Sequence, residues 1–340
     1  MEPIRFFSLL LASFLLLFNN SVVFGSYGDN EYSFRRCFQS CSQECRRNPQ
    51  HNANTYFPPF NTSLVSWSCP ELCHYNCMND ITMTRLQNNF EIYKYFGHWP
   101  FLRYFGLEEP ASVLFSMLNA IPHLYNIPRW MGVKRSDYYM RNWIVLYSFV
   151  AINAWIASTI FHMKKEENTI LYDYVSALLL LCTGFFLIIR RIGKAHMSTT
   201  SIGLILTAIF GLAGYRIYLM LAFRGLILFD YHLKTCIGIA AVTTVLWVYW
   251  IVNDNVPSGS GFLTRLRTCW SPAKKRAVLI QLWFVVASMF EIFDFPPLLR
   301  FLDAHSLWHA LTIPLGMIFH EFWRIDQSEE DQSEAQNKAE

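Results

Sequence analysis

The sequence predicts an all-α membrane protein, a seven-transmembrane helix bundle that follows a small cysteine-rich lumenal N-terminal domain. Three observations favour this class. Hydrophobic residues make up 53% of the 340 residues and charged residues only 16%, whereas a soluble domain carries about 25% charged residues. From about residue 110 onward, apolar segments of spanning length alternate with short polar connections. Before that point, six of the nine cysteines cluster in a polar segment.

Residues 1–25 have the basic, apolar and small-residue regions of a secretory signal peptide. Arg5 precedes the apolar run 6–18, and cleavage is expected near Gly25. A retained signal anchor is the alternative, because Asn19 and Asn20 interrupt the apolar run and residues 22–24 resume it. Cleavage would leave the next segment in the lumen.

Residues 26–105 form the predicted cysteine-rich lumenal domain. Its cysteines follow the spacing C-x3-C-x3-C twice, as Cys37, Cys41, Cys45 and as Cys69, Cys73, Cys77. Six cysteines in a secreted segment predict a disulfide framework with fifteen possible pairings, and pairing between the triplets would staple two short helical segments. A zinc site that includes His74 is the alternative. The sequon Asn61-Thr62-Ser63 predicts a glycosylated lumenal loop.

The domain of residues 106–325 carries the predicted transmembrane bundle. Its apolar segments are 110–127, 142–163, 169–189, 199–221, 233–252, 277–294 and 304–324. A lipid-exposed backbone must satisfy its own hydrogen bonds, so each segment is expected to be a helix. Residues 326–340 are strongly acidic and are predicted to form a disordered, solvated cytosolic tail.

The basic residues predict which side of the membrane each connection occupies. Twelve lie in connections on one side: Arg129, Lys134, Arg135, Arg141, Arg190, Arg191, Lys194, Arg265, Arg267, Lys274, Lys275 and Arg276. Five lie on the other side: Lys164, Lys165, Arg224, Lys234 and Arg300. The positive-inside rule places the twelve in the cytosol, which agrees with a lumenal N-terminal domain.

Five polar residues lie inside or beside the apolar segments, where hydrocarbon makes them costly. They are Ser158, His162, Asp173, His305 and His309. Ser158 and His162 form one i,i+4 pair and the last two histidines form another, so each pair shares a helix face. The predicted topology brings all five to one depth near the lumenal leaflet. Three imidazoles and a carboxylate at one depth predict a Zn²⁺ site.

A purely structural interpretation competes with the zinc site. Each i,i+4 pair could be an interfacial or hydrogen-bonded pair, and Asp173 could be a first-turn carboxylate that faces its helix dipole. Glu291 and Asp294 could support the site or face the lumen. His123 and His320 fall near the cytosolic side and are excluded from the predicted site.

These five residues form a pattern of three parts: Ser-x3-His, an Asp eleven residues later, and His-x3-His. The pattern resembles that of the superfamily of seven-helix membrane hydrolases that includes alkaline ceramidases and the adiponectin and progestin receptors. The segment Cys-Pro-Glu-Leu-Cys-His-Tyr-Asn-Cys at 69–77 is similar to the Per1-like family of post-GPI-attachment lipid-remodelling factors. This resemblance implies a GPI-specific phospholipase A2, which removes the unsaturated sn-2 acyl chain from GPI anchors. It implies GPI-anchored proteins and membrane lipid as partners.

The chemistry expected of these residues is that of a metal hydrolase. His162, His305 and His309 would ligate zinc and leave a fourth position for a water of lowered pKa. Asp173 would serve as general base, and Ser158 would donate to the developing oxyanion or orient the water. The chain shows no nucleophile elbow, so metal-activated water is preferred to a serine acyl-enzyme.

Two alternative functions remain open, an amide hydrolase of the ceramidase type and a seven-helix receptor without turnover. The net charge of +3 comes without a basic run interleaved with aromatic residues, so a nucleic-acid partner is not expected. The predicted compartment is the Golgi membrane, with the endoplasmic reticulum as alternative, because family members lie in these two and the C-terminus lacks a retrieval signal. The sequence leaves the oligomeric state open.

Overall fold

The computed structural model describes residues 26–48, 63–134, 137–194, 197–222, 227–253 and 270–339. The predicted signal peptide and the asparagine of the predicted sequon lie outside these residues. The described chain is helical, with two isolated β-bridges at Tyr95–His98 and Leu298–Leu302. It divides into two compact units, which are described separately.

The cysteine-rich unit includes residues 26–48, 69–100 and 227–235. Its helices are α1 (Tyr27–Asn30), α2 (Tyr32–Arg47) and α3 (Cys69–Gln87). Each cysteine triplet recurs at nearly one helical turn, so three sulfurs line one face of α2 and three line one face of α3. The disulfides Cys37–Cys77, Cys41–Cys73 and Cys45–Cys69 join the two faces in antiparallel order.

These disulfides confirm that pairing runs between the triplets. They consume all six sulfurs, so the zinc alternative for this cluster is wrong, because a metal ligand must be a thiolate. Three cross-links between two short helices stabilise a unit that buries few large side chains. Phe34 is among these, and its ring packs 4.9 Å from that of Tyr95.

The second unit contains a helix at each of the seven predicted segments. In chain order these are α4 (Pro110–Gly132), α5 (Arg141–Met163), α6 (Glu167–Gly193), α7 (Thr199–Ala222), α8 (Ile227–Asn253), α9 (Pro272–Ile292) and α10 (Ala304–Ala339), of which α8 begins in the cysteine-rich unit. Among the described residues, four helices are long and apolar enough to cross a membrane: α5, α6, α7 and α8. The protein therefore has multiple candidate spans, and the count of seven stays a prediction.

Helix α4 carries several polar residues inside the bundle. Helix α4 packs against α5 and α10 and buries Ser116, Asn119, His123 and Asn126. Helices α4 and α10 approach closely at Gly316, where an added Cβ would lie 2.9 Å from Cβ of Pro122. This close packing fixes the start of α10 against its neighbours.

The prediction of a disordered tail from residue 326 onward is wrong. Helix α10 continues to Ala339, and Asp326 is only 1% exposed. Its carboxylate accepts two-pronged hydrogen bonds from Arg191 at 2.8–3.0 Å and one from the Tyr138 hydroxyl at 2.5 Å. Composition alone indicated disorder, but this buried ion pair anchors the acidic segment to the end of α6.

We expect Asp326→Asn to lower the free energy of unfolding by about 3 kcal/mol or more, because it leaves a buried guanidinium poorly compensated. Thermal unfolding of the purified protein in detergent measures the change. The matched control is Glu321→Gln, which breaks the half-exposed pair of Glu321 with Arg276 and should cost less than about 1 kcal/mol. Equal, small effects of both variants would contradict the buried anchor.

Candidate metal centre

Three imidazoles from two helices meet inside the bundle. His162 lies in the last turn of α5, and His305 and His309 lie in the first two turns of α10. The Nε2 atom of His309 is 3.1 Å from Nε2 of His162 and 3.0 Å from Nε2 of His305, and the last two atoms are 3.4 Å apart. Three nitrogen atoms therefore face one point.

Two carboxylates determine which nitrogen carries the proton in two of the three imidazoles. The Nδ1 atom of His162 lies 2.5 Å from Oε2 of Glu109, and Nδ1 of His305 lies 2.6 Å from Oε2 of Glu291. A carboxylate only accepts hydrogen bonds, so Nδ1 must donate and Nε2 of the neutral ring presents a lone pair. The Nε2 atoms of His162 and His305 are 3.4 Å apart, and their lone pairs repel one another unless a cation or a hydrogen-bond donor lies between them.

The donor set fits a metal ion, and zinc first of all. Tetrahedral Zn²⁺ binds imidazole nitrogen at about 2.0–2.1 Å, which places two such nitrogens about 3.4 Å apart. The three Nε2 distances of 3.0–3.4 Å are close to this value. Hydrogen bonds from metal-ligating histidines to carboxylates are common in zinc proteins because they orient the ring.

Glu109 is held in place from several sides. Its side chain accepts from Lys165 as well as from His162, and its backbone N–H donates to the carbonyl of His162 at 3.1 Å. The neighbouring N–H of Glu108 donates to the carbonyl of Met163 at 3.1 Å. The segment before α4 is therefore paired with the end of α5, which fixes the carboxylate beside its imidazole.

The first turns of α10 are fixed by a reciprocal cap and by a bond from α4. Ser306 N–H donates to Oδ1 of Asp303 at 2.8 Å, and Asp303 N–H donates to the Ser306 hydroxyl oxygen at 2.9 Å. This arrangement satisfies donors that a helix start leaves unpaired. The amide of Asn119 donates to the carbonyl of His309 at 2.7 Å. Both contacts set the position of the histidine pair.

Asp173 lies in the second turn of α6 and is partly buried. Its charge interacts with those of His305 and Glu291, so it belongs to the same neighbourhood. The structure therefore places Asp173 within the range of a charge interaction with His305.

Ser158 lies one helical turn before His162 on α5 and is 5% exposed. Its hydroxyl is 3.0 Å from that of Ser116 on α4. Among the described residues, the hydrogen bond shown for Ser158 goes to this partner and none goes to the three imidazoles. Ser158 therefore lies one helical turn from His162 and forms a hydrogen bond with Ser116.

The histidines excluded by topology form a separate pair. Nδ1 of His123 is 3.1 Å from Nε2 of His320, and the indole N–H of Trp130 donates to Nδ1 of His320 at 3.0 Å. This hydrogen-bonded chain is buried in the bundle, and among the residues that the structure describes it includes neither a third imidazole nor a carboxylate. It is a structural polar network.

Sequence reasoning missed Glu109, Lys165, Ser116 and Asn119. An acidic residue before a proline at the start of an apolar segment is an ordinary helix boundary, and Ser and Asn are common inside polytopic bundles. Only a tertiary pairing of residues 53 positions apart shows that Glu109 bonds His162. A chain-wide search for isolated acids at the predicted depth of the histidines could have raised Glu109 as a candidate.

The fold and site define a helical membrane protein with a three-histidine centre, in which His162 and His309 are buried and His305 is partly exposed. The sequence profile of the Per1-like family matches residues 59–327. The chain belongs to the Per1-like family.

Curated relatives extend over nearly the whole chain. The chain is 30% identical over 307 residues to the mouse protein named GPI-specific phospholipase A2-like PGAP3, covering 89% of each chain. It is 30% identical over 308 residues to the human protein of that name, again covering 89% of each. The Drosophila melanogaster protein named post-GPI attachment to proteins factor 3 is 28% identical over 302 residues, covering 87% of each.

Proposed function

We propose that this protein remodels the lipid of GPI anchors by zinc-dependent hydrolysis of the sn-2 acyl ester. The observation that carries the proposal is the convergence of three Nε2 atoms, two of them on imidazoles whose Nδ1 atoms bond carboxylates. The names of the relatives support the substrate class, since they describe a GPI-specific phospholipase A2-like protein.

The three histidines would hold the metal through Nε2. When bound, zinc supplies Lewis-acid polarisation of the ester and activation of a water at neutral pH. Glu109 and Glu291 accept hydrogen bonds from the Nδ1–H groups of His162 and His305. The Nε2 lone pairs of these imidazoles therefore stay available to the metal. Lys165 forms an ion pair with Glu109 and supplies a positive charge beside this carboxylate.

Asp173 is the proposed proton carrier. It accepts a proton from the attacking water as the oxygen bonds the ester carbonyl carbon, and it returns that proton to the alkoxide when the C–O bond breaks. The products are a free fatty acid and a lysolipid. Ser158 donates its hydroxyl hydrogen towards the developing oxyanion, with Ser116 orienting that hydroxyl from α4.

The proposed topology suits this substrate. The end of α5 and the starts of α6 and α10 would lie at the lumenal leaflet, where an sn-2 ester meets the headgroup boundary, and the glycan would remain in the lumen. The Golgi membrane is the proposed compartment, with the endoplasmic reticulum as alternative.

We expect Glu109→Gln to weaken zinc binding about 10-fold to 100-fold, because the ring of His162 loses its charged acceptor. Competition with a chelator of known affinity measures the dissociation constant of the purified protein. The matched control is Glu166→Gln, since Glu166 is half-exposed and pairs with Lys164 away from the imidazoles. Equal zinc affinities for Glu109→Gln and wild type would contradict the positioning role.

The activity is tested by fatty-acid release from a purified diacyl GPI-anchored protein. Wild-type protein should release fatty acid, and a zinc chelator or His305→Ala should abolish release, because either change removes the centre. His320→Gln is the matched control, since it changes a buried histidine of the same helix outside the centre and should retain activity.

Asp173→Asn should fold, bind zinc and lose most activity because it removes the proton carrier.

Three outcomes would contradict this proposal. Ceramide cleavage without GPI cleavage by zinc-loaded protein would favour the amide hydrolase. Full activity of Asp173→Asn would exclude its role as base. Folded wild-type protein that retains no zinc would return the histidines to the structural interpretation.

A further inference from the structure

A second group of buried polar side chains lies near the other end of α6. Arg190 is 17 residues beyond Asp173, which corresponds to about 26 Å along the helix axis. Arg190 is 6% exposed, and its Nε and Nη1 atoms are buried without a hydrogen-bond partner among the described residues. A buried guanidinium without a counter-ion is costly, so its surroundings need an explanation.

The charge of the neighbouring Arg191 is compensated by carboxylates of the protein. Its guanidinium bonds Asp326 with two prongs and lies 3.1 Å from a carboxylate oxygen of Glu330. Arg190, by contrast, forms no ion pair with any described residue, and the contact shown for it is the ring of Tyr139, 4.6 Å from its guanidinium carbon. Of these two adjacent buried arginines, Arg191 therefore has a counter-ion among the described residues and Arg190 does not.

Further donors without acceptors lie beside one or the other of the two arginines. The Tyr139 hydroxyl, Nη1 of Arg191 and the indole N–H of Trp250 are all buried without a hydrogen-bond partner among the described residues. Tyr139 interacts electrostatically with both arginines, and the Trp250 ring lies 5.1 Å from the guanidinium carbon of Arg191. Burial raises the pKa of the Tyr139 phenol, so this group stays protonated and can donate.

These groups share one need, an anion with several acceptor oxygens. Phosphate meets it, because its oxygens accept forked hydrogen bonds from guanidinium groups. The group lies at a helix end on the predicted cytosolic side, where basic pockets between transmembrane helices bind anionic lipid headgroups. A chloride ion would satisfy the charge but would leave most of these directed donors unfilled.

We propose that Arg190, Tyr139 and Arg191 bind the phosphate of an anionic lipid at the end of the bundle opposite the histidine centre. The lipid phosphate would supply the counter-charge that Arg190 lacks within the protein. This site is independent of the proposed hydrolase function, since it shares no residue with the histidine centre.

The test is thermal unfolding of the purified full-length protein in a non-ionic detergent, with added short-chain phosphatidic acid. We expect the lipid to raise the Tm of wild type, since a ligand of the folded state stabilises it. The phosphate-free diacylglycerol with the same chains should give no shift. Inorganic phosphate should also be ineffective at the same concentration, and equal stabilisation by it would overturn the assignment to a lipid.

Arg190→Gln should raise the half-saturating concentration of phosphatidic acid at least tenfold. It should also unfold no earlier than wild type when lipid is absent, because it removes an uncompensated buried charge. The matched control is Arg276→Gln, which changes a more exposed arginine paired with Glu321 and should keep the wild-type response. Identical responses of wild type and Arg190→Gln would overturn the proposal.

Native mass spectrometry of the wild type gives a second readout that does not depend on a variant. Phosphatidic acid should bind with a 1:1 stoichiometry at concentrations at which diacylglycerol does not. Equal adduct formation by both lipids would contradict a phosphate site. Both readouts are separable from fatty-acid release, so failure of one proposal leaves the other intact.

Discussion

One electrostatic constraint organises the histidine centre: three imidazole Nε2 atoms lie within 3.4 Å of one another, and two of the three imidazoles, those of His162 and His309, are buried. Glu109 and Glu291 accept hydrogen bonds from the Nδ1–H groups of His162 and His305. The Nε2 atoms of these two rings therefore present lone pairs to the common point. A proton on one nitrogen can bridge only one pair of atoms, whereas a divalent cation satisfies all three. This geometry is what the proposed cation site requires, and the ends of two helices must meet for it to form.

Helix packing provides the precision that such a centre needs. The carbonyl of His309 accepts from Asn119, and one helical turn further on Thr312 donates back to that same carbonyl. Gly316 then allows α10 to approach Pro122 on α4 more closely than any larger residue would permit. Small residues at helix crossings are the usual means of close packing in membrane bundles. The three histidines thus lie on α5 and α10, and contacts with α4 set the position of α10.

Part of this arrangement could be predicted from the sequence. The i,i+4 spacing puts His305 and His309 on one face, and the placement of basic residues brings His162 to the same end of the bundle. The seven helices follow from apolar segment length, because a backbone in hydrocarbon has few alternatives to a helix. Residue spacing, segment length and the count of basic residues can all be read from the sequence without knowledge of tertiary contacts.

The rest depends on contacts that sequence patterns do not encode. Glu109 reaches His162 across 53 positions, and an acid at a helix boundary carries no sign of that partner. The acidic segment after residue 325 has the composition of a solvated tail, yet Arg191 captures Asp326 inside the bundle. One disulfide pattern out of fifteen is set by the antiparallel packing of α2 and α3. In each case a long-range pairing outweighs the local tendency.

The most direct measurement is zinc K-edge X-ray absorption of the purified, metal-replete full-length protein. A centre built from His162, His305 and His309 predicts one zinc per chain, with a nitrogen and oxygen shell at about 2.0–2.1 Å and outer-shell scattering from imidazole rings. A sulfur shell at about 2.3 Å would place the metal on cysteines instead. That result, or folded protein that binds no zinc, would contradict the assignment of this histidine cluster as a metal centre.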